Sequence, residues 1–173
     1  MDILFTYEQS ETKQNKELMM TLSREIKMKG EFKSVKHEAL LNIVKTANVV
    51  QKRSNVFFSE FGLTDAQYNV LIVLNLEGAG LTQVEIGKRV IASRSNITAL
   101  IDRLEKSKYV KRSNVEGDRR VFNVELASEG KKLLDKIEKK YVDEVEQVMG
   151  CFTEKESKQI SQLMVKLRQH SLS

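Results

Sequence analysis

Apolar residues recur at helical spacing along most of this chain, and the pattern predicts a mainly helical protein. Leu18, Leu22 and Ile26, for example, stand four residues apart and so share one helix face. No proline interrupts these runs. The predicted helices cover about residues 9–29, 35–61, 82–90, 93–106 and 128–149, and two more open at capping-box sequences that begin at Thr64 and Thr153.

Between residues 106 and 128 the pattern changes to that of two short strands. Residues 109–114 and 121–126 are rich in β-formers, and the turn between them contains Gly117. Helix, turn, helix and hairpin in this order predict a winged helix-turn-helix. Its second helix, residues 93–106, would fit a DNA major groove, and the hairpin would reach the neighbouring minor groove.

The chain therefore divides into three predicted regions. Residues 62–127 form a winged DNA-binding lobe of α+β type, while residues 1–61 and 128–173 supply helices on either side. A winged domain of about seventy residues offers these long apolar stripes no partner, so we predict that they pair two copies of the chain. The alternative is an intramolecular bundle of the helices over 9–29, 35–61 and 128–149.

Positive charge is concentrated in the predicted lobe. The chain carries 29 Lys and Arg against 24 Asp and Glu, a net charge of +5. Residues 82–127 alone hold ten Lys and Arg against six Asp and Glu, a surplus of four. Clustered cations attract phosphates and release counterions on binding, although a merely solvated basic surface would give the same count.

Composition and spacing argue against several other classes of protein. The single cysteine, Cys151, cannot form an internal disulfide, and no apolar run approaches the ~20 residues that span a bilayer. We expect a soluble, cytoplasmic protein in which Cys151 has no special reactivity. His37 and His170 lie far apart, without a ligand cluster, a nucleophilic triad or a Gly-rich phosphate loop. We therefore predict no metal site, no cofactor and no enzyme activity.

Several segments of the chain resemble MarR-type (multiple antibiotic resistance regulator) transcription factors. Residues 62–71 resemble the entry to the family's second helix, 81–90 its third, and 93–105 its recognition helix. The wing signature is resembled by Asp118-Arg119-Arg120, followed by residues 124–127 and by Gly130. The segments span about residues 38–168 in the family's order. Lys108 departs from the pattern, because the family usually has Gly there, and a left-handed conformation would cost Lys108 about 1 kcal/mol.

Side chains near the start of the recognition helix are predicted to read base edges. Arg94 can bond guanine bidentately and Asn96 can do the same for adenine. Ser95 and Thr98 suit a phosphate or a thymine methyl, or they are ordinary helix-surface hydroxyls. Arg103 would contact a phosphate or pair with acidic residues of the wing. The predicted DNA-contacting residues are Ser93, Arg94, Ser95, Asn96, Thr98, Arg103, Arg112, Arg119 and Arg120.

The resemblance also implies roles in the wing and a ligand site. Arg120 matches the family's minor-groove arginine, and Asp118 is expected to structure the wing and not to meet DNA. The family couples DNA release to a small phenolic or lipophilic ligand, and four aromatic residues could line such a pocket. These are Phe57, Phe58, Phe61 and Tyr68, although aromatics at helical spacing are more often core.

Together these features predict a homodimeric transcriptional regulator, specifically a repressor relieved by a small ligand. Its partner would be a palindromic double-stranded operator with half-sites about one helical turn apart. The alternative function is a winged-helix protein–protein adaptor without DNA binding. That alternative would favour neutral or acidic recognition positions, whereas this chain has Arg94, Asn96, Arg119 and Arg120.

Overall fold

The computed structural model describes residues 22–30, 32–90, 97–115 and 118–172, with the backbone alone for residues 115 and 118–121. It is mainly helical with one small antiparallel sheet. In chain order the elements are α1 Leu22–Glu25, α2 Val35–Ser59, α3 Asp65–Glu77, β1 Leu81–Thr82, α4 Gln83–Arg89, α5 Ile97–Lys106, β2 Val110–Val115, β3 Asp118–Leu126, α6 Ser128–Met149 and α7 Glu154–Leu172.

The chain divides into two compact units, residues 1–49 and 50–173. In the first unit, α1 ends where Lys27 takes a left-handed φ of 53°. The Met28 N–H donates to the Ser23 carbonyl at 2.9 Å, which closes the helix end as a Schellman motif. The helix predicted over residues 9–29 therefore ends earlier, at Glu25, because this turn stops it before Gly30. Its part before residue 22 lies outside the described residues.

The core of the second unit brings together α2, the helix-turn-helix, the sheet and α6. Phe58, Leu71, Ile86 and Ile137 are almost completely buried. The core positions predicted for the recognition helix are confirmed: Ile97, Ile101 and Leu104 are buried, and Leu100 is partly buried against them. Burial of such side chains is worth roughly 1.5–3 kcal/mol each, so this shared core holds the lobe together.

The sheet has the strand order β1-β3-β2, with both pairings antiparallel. The β2–β3 hairpin confirms the predicted wing, but β3 begins at Asp118, three residues before the predicted start at Val121. Strand β1 was not predicted, because two residues carry no alternation pattern. Its Leu81 pairs with Val124 at the centre of the sheet.

Gly130 lies where the base of the wing meets α6. A Cβ at this position would lie 2.2 Å from the Tyr109 carbonyl oxygen and 2.8 Å from Leu126 Cδ1. The same carbonyl accepts a hydrogen bond from the Ala127 N–H at 2.9 Å. Only a residue without a side chain fits this approach, which packs the first turn of α6 against the start of β2.

The last two helices expose part of their apolar stripes. Val142 on α6 is 67% exposed, and Leu163 on α7 is 51% exposed. No residue of α7, which is described over its whole length, is buried. The predicted capping box at its start is present, since Thr153 and Glu156 exchange hydrogen bonds of 2.8 to 3.3 Å. Among the described helices, none is long and apolar enough to cross a membrane.

Candidate nucleic-acid interface

The helix-turn-helix is formed by α4 and α5. The Thr82 hydroxyl accepts a hydrogen bond from the Glu85 N–H, and the Glu85 carboxylate accepts one from the Thr82 N–H at 2.9 Å. These bonds confirm the predicted capping box, and they lower the pKa of the Glu85 carboxyl. A Cβ at Gly87 would lie 3.5 Å from Ile97 Cγ1, so the two helices approach closely at this glycine.

The predicted DNA-reading residues are only partly within the described chain. Ser93, Arg94, Ser95 and Asn96 lie outside the described residues. Further along α5, Thr98 and Arg103 are both exposed. The Thr98 hydroxyl donates to the Gln83 side-chain oxygen at 2.9 Å, which ties α5 to the start of α4. Sequence reasoning missed Gln83, because a contact over fifteen residues leaves no local signal.

The turn from α5 into β2 is built without glycine. Lys108 takes a left-handed φ of 62°, the Lys108 N–H donates to the Glu105 carbonyl at 2.8 Å, and the Tyr109 N–H donates to the Leu104 carbonyl at 2.9 Å. This is a Schellman motif in which a lysine occupies the usual glycine position. The steric cost anticipated for a left-handed Lys108 therefore applies, about 1 kcal/mol.

Arg112 on β2 is held by two carboxylates of α5. Its Nη1 donates to Glu105 Oε2 at 2.7 Å, and its Nη2 donates to Asp102 Oδ1. The side chain is 20% exposed, and its Nε is buried without a hydrogen-bond partner among the described residues. Arg112 was predicted to contact DNA, whereas the structure surrounds it with protein carboxylates. Pairing with acidic residues had instead been an alternative for Arg103.

The wing side chains proposed to meet DNA are not described. Asp118, Arg119 and Arg120 open strand β3, and Asp118 pairs with Val115 across the hairpin. Their backbone thus lies at the tip of the wing, but the predicted roles of their side chains remain predictions.

On the outer face of the wing, Lys111 Nζ lies 2.8 Å from Glu125 Oε2. This ion pair lowers the pKa of the Glu125 carboxyl.

Several cations around α4, α5 and the following turn remain exposed. They have no ion-pair partner within residues 22–30, 32–90, 97–115 and 118–172. These residues are Lys88, Arg103, Lys106 and Lys108. Exposed cations without protein carboxylates are available to bind an external anion, so this side of the lobe is the electrostatic candidate for a phosphate-bearing partner.

The four predicted pocket residues form a packed aromatic cluster with Tyr141 of α6. The Phe58 and Tyr68 rings stack with centroids 4.1 Å apart, and Tyr141 lies 5.4 Å from Tyr68. Phe57, Phe58 and Tyr68 are buried, whereas Phe61 is only partly buried. Burial raises the pKa of Tyr68 to about 12. The arrangement matches the core alternative, and a ligand site beside it remains a prediction.

Metal ligation and cysteine chemistry receive no support from the described residues. No group of three or more His, Cys, Asp or Glu side chains in these ranges could hold a metal ion. Cys151 is exposed at the junction of α6 and α7.

Comparisons with known proteins agree with this geometry. The transcriptional regulator PecS of Dickeya dadantii is 25% identical over 124 residues, which is 70% of this chain and 75% of PecS. The crystal structure of Sco3205, a MarR family regulator of Streptomyces coelicolor in complex with DNA, aligns with a TM-score of 0.72 and 20% identity over 83% of this chain and 92% of that one. The organohalide-sensing regulator RdhR, with 2,4-dichlorophenol bound, aligns with a TM-score of 0.74 and 17% identity over 84% and 88%.

At such identities the two solved structures establish the fold, which is a winged helix. The sequence match is more specific, since residues 61–121 match the model of the MarR family, from the end of α2 into β3. This segment contains the helix-turn-helix, the left-handed Lys108 turn and most of the wing. The chain belongs to the MarR family of transcriptional regulators.

Proposed function

We propose that this protein is a homodimeric repressor that binds a palindromic DNA operator and is released by a small ligand. The observation that carries the proposal is the set of exposed cations, free of protein carboxylates within the described residues, around the helix-turn-helix and the turn into the wing. A winged helix of the same fold, Sco3205, was solved in complex with DNA. A DNA-bound regulator works in the compartment that holds the genome, which in bacteria is the cytoplasm.

In the proposed complex, α5 lies in the major groove and the wing reaches the adjacent minor groove. Arg94 and Asn96 read base edges, and Arg120 enters the minor groove. Ser93, Ser95, Thr98, Arg103 and Arg119 contact the backbone or neighbouring bases, while Asp118 structures the wing. Affinity then comes mostly from phosphates and falls steeply with salt.

The homodimer is proposed because the helices outside the lobe expose apolar side chains. No residue of α7, which is fully described, is buried, and its Leu163 is half exposed. A second copy would cover such a stripe, and a two-fold dimer would place two recognition helices on two half-sites about one helical turn apart.

Ligand relief is proposed from the aromatic cluster and from a relative. RdhR was solved with 2,4-dichlorophenol bound. In this chain Phe61 lies at the partly buried edge of the cluster, where a small aromatic compound could join the stacked rings. Titration of the DNA complex with chlorophenols, followed by anisotropy, tests this point. Unchanged DNA binding at saturating compound would remove this class of effector from the proposal.

DNA binding is tested by selecting duplexes from a random pool with the purified full chain. The affinities of the selected and random duplexes are then measured by anisotropy at two salt concentrations. Arg120→Ala should weaken binding to all duplexes, whereas Asn96→Ala should reduce the preference among operator variants. Arg53→Ala, a charge change outside the lobe, is the control. If neither duplex is retained at low salt, the adaptor function replaces this proposal.

The dimer is tested separately by sedimentation. Leu163→Asp should shift the mass toward the monomer, because a carboxylate would be buried in the apolar interface. Ser161→Asp, at an exposed polar position two residues away on α7, should leave the mass unchanged. An unaltered mass for Leu163→Asp would show that this stripe is not the interface.

A further inference from the structure

We propose that Arg112 is a positioning residue that sets the angle between the wing and the recognition helix, and that it does not contact DNA. This inference rests on the proposed DNA-binding function and assigns Arg112 a role different from that of the cations around it.

The register of the sheet determines where Arg112 points. Arg112 stands opposite Val124 of β3, which is completely buried, and two residues along from Val110, which is also buried. Alternate residues of a strand share one face. Arg112 therefore lies on the inner face of the wing, toward α5, whereas Lys111 between them lies on the outer face and is well exposed.

The carboxylates on α5 use both ends of the guanidinium fork. Asp102 and Glu105 are three residues apart and so project from the same side of the helix. Each binds a different terminal nitrogen of Arg112. A planar fork that bridges two carboxylates fixes distance and angle together, which a lysine cannot do. A phosphate could reach this guanidinium only by displacing a carboxylate.

The position of this bridge makes it effective as an angular restraint. Arg112 pairs with Val124, and Arg120 lies four residues further toward the wing tip on β3. At about 3.3 Å per residue the tip cation is roughly 13 Å from the bridge. A tilt of about 10° at the bridge would then move it by about 2 Å, more than a hydrogen bond tolerates.

The experiment compares three full-chain variants by anisotropy on the duplex that the wild-type protein selects and on random duplex, at salt between about 50 and 200 mM. Arg112→Met removes the charge and the bridge. Arg112→Lys keeps the charge and can hold one carboxylate. Asp102→Asn combined with Glu105→Gln removes the partners and leaves Arg112 in place. Thermal unfolding of each variant verifies that it is folded.

Arg112→Met should lose about tenfold in affinity for the selected duplex, on the order of one base contact, with an unchanged salt slope. Arg112→Lys should recover part of that loss. The double variant should also bind more weakly, although it has lost two negative charges near the DNA. That last result distinguishes positioning from charge, because charge alone would strengthen its binding.

Two reference variants calibrate these results. Arg103→Met, which removes an exposed cation of α5, should lower the salt slope by about 0.9. Arg53→Met, which breaks an ion pair between α2 and α6, should leave affinity unchanged.

The inference is overturned if Arg112→Met lowers the slope as Arg103→Met does and the double variant binds more tightly, since Arg112 would then be a phosphate contact. If Arg112→Met does not fold, the double variant decides alone. Failure of the wild-type protein to bind any duplex would instead refute the proposed function.

Discussion

Replacing Gly130 by alanine should destabilise the protein, although alanine is the better helix former. The new Cβ would lie 2.2 Å from the Tyr109 carbonyl oxygen, more than 1 Å inside an ordinary contact. That oxygen cannot withdraw freely, because it accepts the hydrogen bond from the Ala127 N–H. Overpacking costs about 1–3 kcal/mol and the strained hydrogen bond about 1 more, against at most about 1 kcal/mol gained in helix propensity. The expected net loss is about 1–3 kcal/mol.

Urea unfolding followed by circular dichroism measures this loss as a lower midpoint at an unchanged slope. Gly87→Ala is the matched control, since it also replaces a helical glycine. Its Cβ would meet Ile97 Cγ1 at 3.5 Å, an ordinary contact. It should be neutral or stabilise by up to about 1 kcal/mol. The reasoning from close approach is refuted if the two variants shift the midpoint in the same direction by similar amounts.

Three further predictions concern caps, burial and surface charge. Thr82→Ala should cost about 1 kcal/mol near pH 7. The difference should narrow as the pH falls through the lowered pKa of Glu85, since protonation breaks the capping box in the wild type too; urea titrations at two pH values measure it, and a constant difference would contradict it. Tyr68→Phe should reduce the loss of stability between about pH 10 and 12, because the unfolded chain ionises before a buried tyrosine whose pKa is about 12; equal alkaline slopes would refute this. Arg53→Ala should barely shift the thermal midpoint, and less in high salt, because its ion pair with Glu144 is exposed; a large, salt-independent shift would contradict a surface role.

The elements that sequence predicted well are those with local signals. The capping boxes at Thr64, Thr82 and Thr153 all mark helix starts in the structure, because each uses only four consecutive residues. The apolar stripe of α5 faces the core for the same reason, since its periodicity lies within one helix. The wing followed from a change of pattern and two turns.

The features that sequence missed depend on residues far apart in the chain. Strand β1 exists because Leu81 meets Val124, more than forty residues later. The partners of Arg112 were not foreseen, because α5 and β2 come together only when the chain reverses at Lys108. The end of α1 was placed too late because a lysine, not the following glycine, takes the left-handed position.

The order of the three strands has a consequence for how the protein meets its partner. On one margin of the sheet, Thr82 is both the last residue of β1 and the cap of α4. On the other margin, Arg112 fastens β2 to α5. A blade clamped along both sides cannot swing to accommodate an imperfect duplex. We therefore expect the duplex to do the adapting, so that pliable pyrimidine–purine steps between the half-sites raise affinity without being touched.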